Sequence, residues 1–279
     1  MGTILVTVII LAGVFAAFMW TRSANRKAGG SCSKQSGGCA GCTDASCPHS
    51  KYVERKNKYD ELSTFKRRYD AVFFDLDGTL LNTSGDLTAA VNHVLERNGF
   101  NKVEESEVIP VLGDGVINLL HTFLPADISE EDFLNCYDEF TEFYNSNAMN
   151  KTYAYEGMRP LLERLKAEDY KTAVITNKND DIAKVLVNEF FPGLVDRTMG
   201  RTSLLNRKPD RAMMDHVLSE LGVTASQVMY VGDSEVDHKF ASAAGTGCVL
   251  VSWGFRDRKE LSAFAPVVDD PGEIYTAVS

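Results

Sequence analysis

Positive charge is scarce in most of this sequence. Residues 69–279 contain 18 Lys and Arg against 35 Asp and Glu, and the whole chain of 279 residues has a formal net charge of −10. Protein surfaces that bind nucleic acid are basic, so this composition argues against a nucleic-acid partner. An internal repeat is also absent. With 44% hydrophobic and 24% charged residues, the composition is that of an ordinary globular protein with a sizeable core.

Charge is absent altogether from one N-terminal run. Ile4 to Trp20 contains no charged residue, Pro, Asn or Gln, and reaches the lower limit of the roughly 17–25 residues that cross a bilayer. A secretory signal peptide is the competing interpretation, but no Lys or Arg precedes the run and no small-residue cleavage site follows it. Lys and Arg come after the run. Because positive charges beside a membrane span favour the cytoplasmic side, we expect the rest of the chain to lie in the cytoplasm. We therefore predict a single transmembrane helix at residues 1–21.

Four of the six cysteines lie in a Gly- and Ser-rich stretch at residues 28–50. Cytosolic thiols stay reduced, so ligation of Zn²⁺ or iron is one interpretation of this stretch. The spacing matches no standard zinc finger, and Gly- and Ser-rich flanks suit unliganded thiols equally well. Residues 22–68 are predicted to be a basic, Cys-rich segment and linker, with the candidate metal ligands Cys32, Cys39, Cys42 and Cys47.

Short apolar runs alternate with longer amphipathic segments from residue 69 onward. This pattern is typical of βαβ units around a parallel sheet. Helices are predicted near residues 157–168, 180–190, 209–221, 236–244 and 257–263. The predicted strands are Ala71–Phe74, Lys171–Ile175, Val228–Val231, Cys248–Val251 and Pro266–Val268.

The first two predicted strands lie about a hundred residues apart. A crossover between parallel strands needs only about a dozen residues, so the interval contains an insertion. Residues 85–153 read as several amphipathic helices without a convincing strand. We therefore predict an α/β core at residues 69–84 and 154–279, with a helical cap domain at residues 85–153.

Two acids, Asp75 and Asp77, follow the first predicted strand and precede a glycine. The carboxyl ends of parallel strands face the crevice in which ligands bind. Two close carboxylates repel each other, and Mg²⁺ is a suitable cation for their oxygens. An ordinary turn built from Asp and Gly is the alternative for this motif alone.

Polar groups suited to phosphate chemistry follow in three further places. Thr176 and Asn177 follow the second predicted strand, although a helix cap often has the same composition. Lys208 precedes a helix, where it either neutralises phosphoryl charge or is a surface lysine. Asp233 and Asp237 form a second acidic cluster after another buried strand.

These motifs in this order resemble the haloacid dehalogenase-like hydrolase superfamily, specifically its phosphoglycolate phosphatase-like branch. They are Asp-x-Asp-Gly-Thr at 75–79, Thr-Asn at 176–177, Lys-Pro at 208–209 and Gly-Asp-x-x-x-Asp at 232–237. The likeness covers nearly all of residues 69–279. It implies a Rossmann-like core with a helical cap.

The resemblance implies a role for each matching acid. Asp75 would be the nucleophile, and Asp77 the acid that protonates the leaving alcohol and later activates water. Mg²⁺ would be held by Asp75, the backbone carbonyl of Asp77 and Asp233. Asp237 would lie farther from the ion or bind it through water.

The resemblance also implies a phosphate-binding set and a substrate. The phosphoryl oxygens would be held by Thr176, the Asn177 backbone and Lys208. The substrate would be a small phosphomonoester, with 2-phosphoglycolate as the first guess. Asn82 and Arg211 depart from the family pattern, which loosens the assignment of the substrate but touches none of the reacting groups.

Two other functions stay open. A phosphomutase of the same fold would pass the phosphoryl group to a sugar, and a metal-handling or adaptor protein would use the hydrolase body as a scaffold. The apolar run, basic patch and Gly/Cys tract of residues 1–50 resemble the small cysteine-rich membrane proteins that accompany the bacterial ferrous-iron transporter B. That likeness implies an iron transporter as a partner, in addition to the membrane and a phosphorylated substrate.

Overall fold

A six-stranded parallel sheet organises the residues that the computed structural model describes, which are 67–202 and 207–279. Its strand order is β5-β4-β1-β6-β7-β8, and β2 and β3 form a separate antiparallel pair. The strands are β1 (Ala71–Phe74), β2 (Leu81–Asn82), β3 (Tyr153–Ala154), β4 (Lys171–Asn179), β5 (Arg197–Arg201), β6 (Val228–Gly232), β7 (Gly247–Val251) and β8 (Val267–Val268).

Helices cover the sheet and fill the interval between β2 and β3. The stretch containing α1 to α4, residues 84–147, is called the helical insertion below. Two 3₁₀ turns occur at Ile109–Val111 and Ala225–Gln227. The helices are α1 (Ser84–Arg97), α2 (Glu105–Val108), α3 (Val116–Phe123), α4 (Glu130–Asn147), α5 (Met158–Ala167), α6 (Asp180–Phe190), α7 (Ala212–Leu221), α8 (Glu235–Ala244), α9 (Arg258–Leu261) and α10 (Pro271–Val278).

The central strand β1 is buried on both faces. Val72 and Phe74 belong to one apolar cluster, whereas Ala71 and Phe73 belong to the other. Successive side chains of a strand point to opposite faces, so a strand covered on both sides reads as a continuous apolar run. This is why a run of only four residues is a clear strand signal in the sequence.

Asp86 in α1 joins the chain where it enters the helical insertion to the chain where it leaves. Its carboxylate accepts hydrogen bonds from the N–H groups of Lys151 and Thr152, at 3.0 and 2.9 Å, and from the Thr152 hydroxyl at 2.9 Å. The Asp86 side chain is buried. The base of the insertion is therefore fixed by a buried carboxylate whose charge is satisfied by N–H and O–H donors.

The structure confirms a parallel α/β sheet with strands at all the predicted places, and β4 extends four residues further, to Asn179. The sequence pattern does not predict β5, because Arg-Thr-Met-Gly-Arg contains a single large apolar side chain. The strands β2 and β3, with two residues each, are too short to produce a periodic signal.

None of the described helices combines the length and the apolar character needed to cross a membrane. The transmembrane helix predicted at residues 1–21 lies outside the described residues, as does the segment with Cys32, Cys39, Cys42 and Cys47. Both stay predictions, and so do the domain boundaries between core and cap.

Candidate active site

The carboxyl ends of three adjacent strands meet at one edge of the sheet. β1 lies between β4 and β6, and its last residue is in register with Val174 and Val231 of its two neighbours. The residues that follow bring Asp75, Thr176 and Asp233 to the same edge. These residues are 6%, 1% and 3% exposed, respectively, so this edge holds buried polar groups rather than surface turns.

Lys208 lies within ion-pair distance of two carboxylates. Its Nζ is 2.8 Å from Asp75 Oδ1 and 2.7 Å from Asp237 Oδ1. The same ammonium donates a hydrogen bond to the Tyr230 hydroxyl at 3.2 Å. Lys208 is therefore a buried member of the acidic cluster and not a surface lysine.

Three buried carboxylates leave this cluster with more negative charge than one lysine neutralises. Asp75, Asp233 and Asp237 each offer an oxygen, and these oxygens lie within 4.8 Å of one another. Burial and the charges of Asp237 and Asp75 raise the pKa of Asp233 well above its usual range. Burial also raises the pKa of Asp75 to about 7, although Lys208 opposes the shift.

The donor set of this cluster fits Mg²⁺. The ion prefers oxygen ligands, and the cluster provides three carboxylates. Asp75 Oδ1 is buried, and its 2.8 Å contact with Lys208 Nζ is an ion pair without standard hydrogen-bond geometry, so a further lone pair of this oxygen can bind a cation. A divalent cation would also offset the repulsion among the carboxylates.

Asp237 has more hydrogen-bond partners than the other two acids. Its Oδ2 accepts hydrogen bonds from the N–H groups of Asp233 and Ser234, at 3.2 and 3.1 Å, and from the Ser234 hydroxyl at 2.6 Å. Ser234 caps α8, and Asp237 completes a reciprocal capping box. Asp237 therefore fixes the turn that carries Asp233, which suits a position outside the direct ligand set.

Asp77 is held by two donors that the sequence patterns do not predict. Its Oδ1 accepts hydrogen bonds from Thr83 Oγ1 at 2.6 Å and from Lys178 Nζ at 2.8 Å. Lys178 Nζ also lies 4.7 Å from the centre of the Tyr144 ring. Lys178 is 101 residues from Asp77 in the chain, and its one sequence signal is its place directly after Thr-Asn at the strand end.

Thr176 and Asn177 make different contacts. The Thr176 hydroxyl accepts a hydrogen bond from the Lys178 N–H at 3.2 Å. The Asn177 side chain accepts a hydrogen bond from the Lys208 N–H at 2.7 Å and donates one to the Gly113 carbonyl at 3.2 Å. Asn177 thus positions the Lys208 backbone and contacts the helical insertion, whereas the sequence predicted a role for Asn177 in binding phosphate.

A cavity opens between this edge of the sheet and the helical insertion. Its volume is about 70 Å³, and a single water needs roughly 10–15 Å³ on a comparable scale, so the enclosed part suits a small ligand. The sequence patterns do not predict Arg201, which belongs to the lining. The polar lining includes Asp75, Asp77, Thr176, Asn177, Lys178 and Arg201.

Comparisons with known proteins agree with this fold and these motifs. The family model described as haloacid dehalogenase-like hydrolase matches residues 72–251. A phosphoglycolate phosphatase of Cereibacter sphaeroides is 34% identical over 204 residues, which cover 72% of this chain and 89% of the relative. A phosphoglycolate phosphatase of Pseudomonas putida is 32% identical over 207 residues, which cover 71% of this chain and 76% of that relative.

A crystal structure shows the same architecture. A predicted phosphoglycolate phosphatase from Haemophilus somnus superimposes with a TM-score of 0.70 at 27% sequence identity, covering 75% of this chain and 98% of that one. The family match extends over more than half of the 279 residues and includes the Asp75, Thr176, Lys208 and Asp233 motifs. The chain therefore belongs to the haloacid dehalogenase-like hydrolase family.

Proposed function

We propose that this protein is a Mg²⁺-dependent phosphatase that hydrolyses a small phosphomonoester through an aspartyl-phosphate, with 2-phosphoglycolate as the first candidate substrate. The family and the phosphoglycolate phosphatase relatives identify the chain as a phosphoric monoester hydrolase. One observation carries the proposed mechanism. Asp75 is buried beside Lys208 and lines the cavity together with Asp77 and Thr176.

The first half-reaction transfers the phosphoryl group to the protein. A carboxylate oxygen of Asp75 attacks phosphorus and forms an acyl phosphate, while the ester P–O bond breaks. Asp77 gives its proton to the leaving oxygen, so the alcohol departs neutral. Lys208 and Thr176 stabilise the phosphoryl oxygens by charge and hydrogen bonding.

The second half-reaction restores the enzyme. Water attacks phosphorus, Asp77 accepts a proton from that water, and the bond between phosphorus and the Asp75 oxygen breaks. Orthophosphate leaves, and Asp75 is a carboxylate again. One group thus serves first as the acid and then as the base, which requires Asp77 to remain close to the phosphorus throughout.

Mg²⁺ would be held by the carboxylates of Asp75 and Asp233 and by the backbone carbonyl of Asp77. When bound, the ion offsets the negative charge that gathers around the transferring phosphoryl group. Asp237 positions Lys208 through the 2.7 Å ion pair and fixes the turn that carries Asp233.

The test is release of inorganic phosphate by the purified full-length chain, with Mg²⁺ or with EDTA, from 2-phosphoglycolate, sugar phosphates and nucleotides. We expect release that requires Mg²⁺ and is fastest with a small phosphomonoester. Phosphoryl transfer between positions of a sugar phosphate without free phosphate would instead indicate the mutase. No reaction with any ester, together with metal bound by a peptide of residues 28–50, would indicate the adaptor.

A further inference from the structure

Arg201, the last residue of β5, is a buried cation in the cavity wall. It is 8% exposed and lines the same cavity as Asp75 and Asp77. Its Nη2 donates a hydrogen bond to the Tyr137 hydroxyl of α4 at 3.2 Å, and its Nη1 lies 4.0 Å from the position of a Cβ built on Gly115. The guanidinium therefore lies where the sheet edge meets the helical insertion.

The charge of Arg201 has no carboxylate partner within residues 67–202 and 207–279. The cavity's other lining cation, Lys178, is paired with Asp77 at 2.8 Å. Residues 203–206, which separate the two described ranges, are Ser-Leu-Leu-Asn and contain no acid. A buried charge without a counter-charge costs several kcal/mol in a protein interior. A protein that retains such a group at its active site therefore gains from it when an anion binds.

We propose that Arg201 and Tyr137 form a subsite for a carboxylate on the leaving group of the substrate. The planar guanidinium presents paired N–H donors that match the two oxygens of a carboxylate. The Tyr137 hydroxyl accepts its hydrogen bond from Arg201, so its own proton is free to be donated to the same carboxylate. The subsite rests on the proposed phosphatase function, and it selects phosphomonoesters whose alcohol carries an acid.

The geometry of its donors favours a carboxylate over a second phosphate as the anion at this subsite. A planar carboxylate is smaller than a tetrahedral phosphate. Its two oxygens can accept hydrogen bonds from two N–H groups of one guanidinium, so no further cation is needed. A phosphomonoester with a terminal carboxylate on its alcohol therefore matches these donors best.

The experiment compares two esters of the same length on the full-length chain with Mg²⁺. 2-Phosphoglycolate carries the carboxylate, and ethyl phosphate has a methyl group in its place. The measured quantity is the ratio of their kcat/KM values in wild type, Arg201→Gln, Tyr137→Phe and Arg197→Gln. Arg197 lies on the same strand but pairs with Glu220 at 2.6 Å, so it is a matched control.

We expect wild type to prefer 2-phosphoglycolate, and Arg201→Gln to lower the preference about 10- to 100-fold, as expected for a lost hydrogen-bonded ion pair. Tyr137→Phe should lower it about 3- to 10-fold, and Arg197→Gln should leave it unchanged. Glycolate should inhibit wild type competitively, with an inhibition constant that rises in Arg201→Gln by the same factor as the preference falls.

Several outcomes would overturn the subsite while leaving the phosphatase intact. One is equal hydrolysis of the two esters by wild type, and another is a preference that survives both Arg201→Gln and Tyr137→Phe. Preference for 1,2-ethanediol bisphosphate over 2-phosphoglycolate would show that the subsite binds a second phosphate and not a carboxylate. Hydrolysis of none of these esters would overturn the proposed function and the subsite with it.

Discussion

One oxygen of the Asp77 carboxylate accepts two hydrogen bonds from described side chains. Thr83 Oγ1 at 2.6 Å and Lys178 Nζ at 2.8 Å both bind Oδ1. This arrangement fixes the orientation of the carboxylate and leaves Oδ2 for the proton transfers that the proposed mechanism assigns to Asp77. Thr83 and Lys178 are therefore positioning residues, which act on the reaction through Asp77.

Substituting Thr83 tests this positioning without changing the volume of the side chain. Thr83→Val removes the hydrogen bond to Asp77 but keeps the shape of the side chain, which is fully buried. We expect kcat to fall about tenfold and the free energy of unfolding to fall by about 1–2 kcal/mol. Steady-state kinetics with saturating Mg²⁺ and denaturant unfolding would measure the two effects.

Thr88→Val in α1 is the control for that experiment. The Thr88 hydroxyl is buried and has no hydrogen-bond partner among the described residues. The same substitution there removes an unsatisfied polar group, so it should leave kcat unchanged and raise stability by up to about 1 kcal/mol. Equal kcat values for wild type and Thr83→Val would contradict the positioning role.

Short motifs predicted some of the site residues but not others. Asp75, Thr176 and Asp233 occur in motifs at strand ends, and Lys208 occurs in a Lys-Pro motif before a helix, so a few adjacent residues indicate their chemistry. Arg201 ends a strand that the apolar pattern does not reveal, and its significance depends on its having no carboxylate partner in the part of the chain that the structure describes. Ion pairs between distant residues leave no local signal.

At the scale of elements, close approach of two loops shapes the acidic cluster. The Phe255 N–H donates a hydrogen bond to Asp233 Oδ2 at 2.8 Å. A Cβ on the preceding residue, Gly254, would lie 2.3 Å from Asp233 Cβ and 2.6 Å from the Gly78 carbonyl oxygen. Only glycine lets the loop after β7 support Asp233 in this way.

Gly254→Ala should therefore displace Asp233 from its place in the cluster. We expect kcat/KM to fall at least about 100-fold, since misplacement by about 1 Å has that effect. The Mg²⁺ concentration needed for half-maximal activity should rise as well. Both can be read from Mg²⁺ titrations of phosphate release.

Gly99→Ala separates this displacement from general backbone strain. Gly99 has a φ of +77° and nothing within 4 Å of an added Cβ. Alanine there should cost about 1 kcal/mol of stability and leave kcat/KM unchanged. A Gly254→Ala protein with wild-type kinetics would show that the loop does not define the position of Asp233.

Elements with a clear apolar pattern were predicted from the sequence, and weakly patterned ones were not. β1 is a fully buried apolar run, and its position was predicted to the residue. β5 was not predicted, because its place in the sheet comes from pairing with β4 rather than from its own apolar residues. This is tertiary context overriding local propensity.

At the scale of the whole molecule, the charge distribution separates the N-terminal part from the hydrolase body. Residues 1–68 hold eleven Lys and Arg against four Asp and Glu, the reverse of the balance in residues 69–279. We propose that residues 4–20 anchor the chain in a membrane and that the basic residues after them face the cytoplasm. The catalytic part would then act beside the membrane.

Fractionation tests this proposal. The full-length chain should sediment with membranes and resist extraction by high salt, whereas a chain lacking residues 1–21 should remain in the supernatant. Leu11→Arg places a charge in the middle of the apolar run at a cost of about 2.5–3.5 kcal/mol, so it should reduce the membrane fraction. A full-length chain found entirely in the supernatant would contradict the anchor.

Covalent catalysis by Asp75 is the central claim, and one substitution tests it most directly. The amide of Asp75→Asn cannot form the acyl phosphate, yet it has nearly the volume of the carboxylate. The measurement is phosphate release from 2-phosphoglycolate by wild type and Asp75→Asn with saturating Mg²⁺. We expect a loss of at least about 10³-fold, as for removal of other catalytic nucleophiles. Turnover by Asp75→Asn within a few-fold of wild type would contradict it.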